Sequence, residues 1–307
     1  MTVSTTAPAS VPPGLVIAPQ LPDLLLPVKV RRGLLGFLRN HPTVAIGGAL
    51  LLVLVLVGIF APYLGTVDPT ALAPAKRTRA PSADFWFGSD ALGRDIYSRV
   101  LYGTRVSLTV GLSVALLASL AGLAIGLFSG FVRWADGIVM RFMDGLMSIP
   151  PILLAVALMA LTRGSVGNVI LAITIAEVPR VTRLVRGVVL SLREQPYVDA
   201  AIASGTRTPM IILRHILPNT LAPMLVQATY VCASAMIVES ILSFIGAGTP
   251  PTIPSWGNIM AEGRALWQVK PYMVFFPAAF LSVTVLAVNL LGDGLRDALD
   301  PRMAKSL

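Results

Sequence analysis

An all-α integral membrane protein with six transmembrane helices is the fold class this sequence predicts, on three observations. The 307 residues are 55% hydrophobic and only 13% charged, with a mean hydropathy of +0.78, whereas soluble domains run near about 25% charged. Five windows without Asp, Glu, Lys or Arg, 43–62, 106–132, 145–162, 216–238 and 271–291, hold 18 to 27 residues each, close to the roughly 20 that cross a bilayer. The cations are also unevenly placed. With the N-terminus inside, fifteen of the 24 fall on inner segments and nine outside, most of those nine in one long loop, as the positive-inside rule expects. The net charge of +9 is therefore topological, and a nucleic-acid partner is excluded.

From the N-terminus, residues 1–42 read as a cytoplasmic Pro-rich tail followed by a short interfacial helix. Six prolines stand before position 28, which suits extended chain. Residues 28–40 mix Lys29, Arg31, Arg32 and Arg39 with Leu34, Leu35, Phe37 and Leu38. That segment is either a helix on the inner leaflet or a basic stop before the first span. The membrane domain then occupies 43–307. The loop 63–104 is extracytoplasmic, and Pro62, Pro69, Pro74 and Pro81 break its regularity. It ends in Phe87-Gly-Ser-Asp-Ala-Leu-Gly-Arg-Asp-Ile-Tyr-Ser-Arg99. On spacing alone, Asp90, Arg94, Asp95 and Arg99 with the turn at Gly93 read more readily as a solvated face than as a pairing at the mouth of the bundle.

A sixth span over 167–190 is interrupted by Glu177, Arg180, Arg183 and Arg186. An ionisable group at membrane depth calls for a named partner. Arg180, three residues after Glu177, pairs with it on one helix face, holding the inner end of the span or lining a polar pathway. The three arginines repeat every third residue and read as a snorkelling stripe. Glu239 is expected at the outer interface. Residues 243–270, with Pro250, Pro251, Pro254 and Trp256, are expected to fold back toward the pore mouth as a re-entrant type of loop, because irregular backbone at membrane depth must be buried in protein or line a wet cavity.

The cytoplasmic loop 191–215 carries the most specific signal. Pro196 suits a first helical turn and Gly205 a helix stop, and Thr208-Pro209 reads as an N-cap and first position. Two short helices with a sharp turn are expected, the second ended by Pro218. Ala200 and Ala201 give the first helix a surface that a partner backbone can approach closely. Cys232 is the one cysteine, and His41 and His215 stand apart from any acidic cluster, so no metal site is expected. A Gly-x4-Gly-Lys-Ser/Thr phosphate loop is missing, so no ATP is expected on this chain by that route.

The run Tyr197-Val-Asp-Ala-Ala-Ile-Ala-Ser-Gly205, followed by Arg214-His-Ile-Leu-Pro-Asn219, resembles the loop by which membrane subunits of ATP-binding-cassette importers dock onto their ATPases. Asp199 stands where the family has Glu, and Ala200, Ala201, Gly205 and Pro218 fill the other places, with Arg207, Arg214 and His215 in the same segment. The Phe87–Arg99 run, Leu242-Ser-Phe-Ile-Gly-Ala-Gly248, Pro254-Ser-Trp-Gly257 and Asn289-Leu-Leu-Gly-Asp-Gly-Leu-Arg-Asp-Ala-Leu-Asp-Pro301 are similar to one half, the "C" type, of the peptide and nickel permease pairs. The resemblance implies a type I importer permease fold in a bacterial inner membrane, with both termini cytoplasmic. It implies a homologous second permease, two ATPase subunits that hold ATP and Mg, an extracytoplasmic binding protein, and a dipeptide or oligopeptide cargo moved by alternating access. Nickel or glutathione is the alternative cargo, and an ion-coupled secondary transporter a more distant reading.

Overall fold

The computed structural model describes residues 34–299. The expected tail 1–27, the basic start of the interfacial segment and the C-terminal residues 300–307 lie outside that range. Among the described residues the architecture is helical, with one isolated bridge, Ser89 to Asp95. Helix α1 (Leu34–Asn40) leads directly into α2 (Pro42–Phe60), whose proline sits in the first turn, where its missing N–H has no helical partner to lose. Irregular chain with two 3₁₀ turns then runs to Asp95. Asp95 caps α3 (Ile96–Phe131) by accepting from the Ser98 N–H at 2.9 Å. The loop expected over 63–104 therefore ends at 95. Arg105, inside α3, donates to the free carbonyls of Gly58 and Ile59 at the end of α2, at 2.5 and 2.9 Å.

The third expected span, 145–162, is not one straight helix. Helix α4 (Arg133–Met147) and α5 (Pro151–Ala160) meet at 85° across Ser148, Ile149 and Pro150. Pro151 cannot donate to the carbonyl of Met147 and clashes with it, so the helix breaks there. Ten residues of α5 rise only about 15 Å, too little to cross a bilayer core alone. Helix α6 (Val166–Arg193) is capped by Ser165, which accepts from the Asn168 N–H at 3.1 Å. After α7 (Pro196–Ala203) the chain enters α8 (Thr208–Ile211), a π turn at Ile212–Ile216, and α9 (Leu217–Phe244). Here too the expectation is corrected: Thr208–Phe244 is continuous helix, and Pro218 does not end it. The wider π turn shifts the hydrogen-bond register just before the proline and so absorbs its missing donor. Thr208 lies within the helix, with Arg207 at the N-cap. The last loop holds α10 (Trp256–Gly263), and α11 (Tyr272–Leu299) closes the bundle.

Four helices are long and apolar enough to cross a membrane, α2, α3, the 208–244 helix and α11, and the bent α4–α5 pair is a fifth candidate. Helix α6 has the length but carries the charges noted above, so six crossings require it to be counted with them. The most extensive interface is α3 on α6. There Gly122, Gly126 and Gly130, four apart on α3, face Val181, Val185 and Val189 on α6; a Cβ at each glycine would lie 2.6, 2.7 and 2.8 Å from the valine Cβ. Between helices in lipid, close packing of small residues replaces the hydrophobic driving force. Glycine on one side and β-branched valine on the other bring the two backbones together.

Candidate functional site

The α7 loop is built around a helix stop that only a left-handed residue makes well. Gly205 has φ +74°. Its N–H donates to Ile202 O at 2.9 Å and the Thr206 N–H to Ala201 O at 3.1 Å, the paired bonds of a Schellman motif. Val198, Ile211 and Ile216 are buried and anchor the segment to the bundle. The outer side carries Tyr197, Ile202, Met210 and Leu213, between 42% and 60% exposed, an apolar surface on an otherwise polar turn. Ala200 shares that exposed side, whereas Ala201 is half-buried against the core, so one of the two expected docking alanines faces inward. The His215 ring lies 6.3 Å from that of Tyr197. Arg207, Arg214 and Pro218 are exposed. Asp199 borders a cleft of about 540 Å³ with Arg133, Arg193, Glu194 and Ile202.

At the opposite end, Asp90, Arg94 and Arg99 are buried rather than solvated, which overturns the spacing argument. Asp90 accepts from Arg94 Nε at 2.7 Å and Arg99 Nη1 at 2.6 Å, and both guanidinium groups also pair with Glu262 of α10. Asp95 stays out of this network as the α3 cap, and Gly93 makes the turn between Asp90 and Arg94 with φ +80°. Sequence reasoning missed Glu262, which lies 163 residues from Arg99 and has no local signal. Burial works against the charged form of Asp90, but the Arg99 charge, the Arg94 N–H and the Arg94 charge together outweigh it and hold the carboxyl below its ordinary range. A lowered folded-state pKa contributes stability that is present above the unfolded carboxylate value of about 4 and is lost as pH falls through the folded value. Removing one member of a buried charge cluster costs about 3–5 kcal/mol. Arg99→Leu should therefore lower the melting temperature in detergent and expose 63–95 to protease at neutral pH, and strong acid should do the same to the native chain. An unchanged digestion pattern for Arg99→Leu would remove the network from the stability of this end.

Trp256, expected in a loop folding back on the bundle, is fully buried, and its Nε1–H donates to Val100 O at 3.1 Å. Glu239, expected at the interface, is fully buried too. It accepts from Ser243 Oγ at 2.9 Å, and Ser243 leads on to Thr249, Ser255 and Asn258, so this carboxyl organises the turn after α9. The arginine stripe is corrected as well. Arg183 pairs with Asp144 and Arg186 with Asp136, both on α4, so two of the three hold the bent pair instead of meeting lipid. Glu177 and Arg180 do pair, Oε2 to Nη1 at 3.3 Å.

The chain is thus a helical membrane bundle that carries an apolar-faced helical turn between α6 and α9. The model of the family described as "Binding-protein-dependent transport system inner membrane component" matches residues 122–305, and the chain belongs to that family. It is 54% identical, over 86% of its length and 90% of the relative's, to a probable peptide ABC transporter permease protein of Sinorhizobium fredii. It is 40% identical, over 87% and 88%, to the dipeptide transport system permease protein DppC of Alkalihalophilus pseudofirmus. Among solved structures, an inward-facing MetNI methionine ABC transporter aligns with TM-score 0.56 at 19% identity, over 66% of this chain and 96% of that one. That likeness establishes the type I importer permease fold.

Proposed function

We propose that this chain is one permease half of an ATP-driven importer of dipeptides or oligopeptides, working with a homologous second permease, two ATPase subunits and an extracytoplasmic binding protein. The observation that carries it is the α7 turn, whose buried Val198 and Ile216 fix it to the bundle while Tyr197, Ile202 and Met210 face outward, the arrangement a docked ATPase needs. The peptide cargo follows from the names of the relatives. Asp199, Ala200, Gly205, Arg207 and Arg214 meet the ATPase, and ATP with Mg binds there and not on this chain. The subunit does no covalent chemistry; closing of the ATPase pair moves α7 and rocks α6 and α9 with it. Cells lacking the subunit should resist toxic peptide analogues while retaining nickel-dependent enzyme activity, and the tagged subunit should bring ATPase chains through purification. Unchanged sensitivity together with lost nickel uptake would shift the cargo to nickel.

This reading places the α7 end in the cytoplasm of a bacterial inner membrane. In a Cys232→Ala background, Ser82→Cys should react with an impermeant thiol reagent in intact cells and Ser204→Cys only after permeabilisation. Both serines are exposed, so access alone decides the result. The reverse pattern inverts the topology.

A further inference from the structure

We propose that the turn Lys76–Arg79 is a docking site for an acidic face of the extracytoplasmic binding protein, with Trp86 as its apolar anchor; this rests on the importer reading of the chain. Lys76, Arg77 and Arg79 are exposed and have no ion pair among the described residues. Three cations in four positions on the outer side run against the inward bias of the other charges. The backbone that presents them is strained. Thr78 has φ +49°, a conformation that a β-branched residue adopts only when its surroundings impose it. Here the imposing contacts come from Ser89 and Asp90, both buried. The Thr78 N–H donates to Asp90 O at 3.0 Å, the Arg79 N–H to Ser89 Oγ at 2.8 Å and the Ser89 N–H to Arg79 O at 3.0 Å. Ser89 Oγ in turn donates to Lys76 O. The Asp90 side chain belongs to the network with Arg94, Arg99 and Glu262, so the turn is fixed to α3 and α10 at its back and carries its charge on the front.

Lys76 and Trp86 line one cleft of about 400 Å³ with Phe85 and Tyr97. Asp84 and the α3 cap Asp95 border it too, and the three cations outnumber them. Trp86 is 61% exposed. Its ring lies 4.9 Å from that of Tyr97, whose hydroxyl donates to Leu64 O at 2.9 Å. A large ring held in place and left open to water is the kind of anchor that protein interfaces favour. Lipid is not its partner. Arg105 binds the last carbonyls of α2 and so marks the outer end of the first span. Tyr97 lies eight residues further out along α3, a rise of about 12 Å, whereas the headgroup layer is about 5–8 Å deep. The aromatic pair and the basic turn therefore stand clear of the membrane, where a water-soluble partner reaches them. Cations beside an exposed aromatic complement carboxylates around an apolar patch, and charges so placed steer association.

The test uses the whole transporter in nanodiscs, with second permease and ATPases. The probe is the binding protein that restores peptide import when the same complex is reconstituted in vesicles. Arg77→Glu and Arg79→Glu together should weaken its binding at low salt by about tenfold or more and flatten the salt dependence, while Arg77→Lys with Arg79→Lys keeps both. Trp86→Ala should weaken binding and leave the salt dependence in place. In vesicles, the charge reversal should raise the half-maximal concentration of binding protein more than it lowers the plateau of import. Arg77→Cys in the Cys232→Ala background gives an independent reading: the binding protein should protect it from a thiol reagent. Native affinity and salt dependence in the charge reversal, or no protection of Arg77→Cys, would overturn the assignment while leaving import intact. So would wild-type binding that vanishes in nanodiscs of zwitterionic lipid alone, which assigns the cations to headgroups. If no binding protein restores peptide import to the native complex, the importer reading fails and this surface with it.

Discussion

Gly126→Leu is expected to remove this protein from the membrane. Gly126 stands in the middle of the α3–α6 contact, where even a Cβ would lie 2.7 Å from Val185 Cβ and 2.9 Å from the Thr182 carbonyl oxygen. Val185 is fully buried, and α3 and α6 are long helices in mutual contact, so neither backbone can yield locally. Overpacking a core costs about 1–3 kcal/mol where neighbours adjust; four added carbons against backbone exceed that. Stability of about 5–15 kcal/mol leaves little reserve, and the unfolded fraction is degraded. Immunoblots of membranes should show loss of Gly126→Leu and a partial loss of Gly126→Ala. Val185→Ala should restore part of what Gly126→Ala loses. Gly137→Leu on α4, where nothing lies within 4 Å of a Cβ, should accumulate normally. Native levels and native melting of Gly126→Leu would mean that this seam does not hold the bundle.

The helical membrane class was legible because each apolar run is a local property, and the observed helices overlap every expected span. What hydropathy could not register was direction. The window 145–162 is uncharged throughout, so the bend at Ser148–Pro150 leaves no mark on it, and only Pro150 and Pro151 hint at a break. Pro218 misled in the opposite sense, since a π turn lets a helix pass a proline and has no sequence signature. The α7 turn was readable because Pro196, the alanines and Gly205 act on their immediate neighbours. The charge pairs were not. Arg183 finds Asp144 across 39 positions and Arg186 finds Asp136 across 50, and Glu262 reaches Arg99 from another loop, so their partners are set by tertiary packing. Burial of Glu239 had the same origin: a window of apolar neighbours gives no information on which side of a helix faces protein.

Gly205→Val should leave the protein in the membrane and stop transport. Nothing lies within 4 Å of a Cβ at this site, so the chain's own packing does not oppose the new side chain. The opposition is in the backbone, because φ +74° costs a β-branched residue about 1–2 kcal/mol or more. That strain is relieved only by giving up the paired bonds to Ala201 and Ile202, which set the direction in which α7 leaves the turn. Since the loop lies beyond the spans, helix packing survives, and the loss falls on the exposed surface of Tyr197, Ile202 and Met210. Expression should stay near normal, uptake should fall to background, and the ATPase subunits should be weakly retained on purification. Gly205→Asn separates conformation from size, because Asn tolerates the left-handed region; it should keep most uptake although its side chain is about as large as that of valine. Asp199→Ala should be milder than Gly205→Val, since it leaves the helix stop intact. Wild-type uptake by Gly205→Val with the ATPase still bound would dissociate this turn from energy coupling, and equal loss in Gly205→Asn would assign the effect to bulk at the docking surface instead of to the turn.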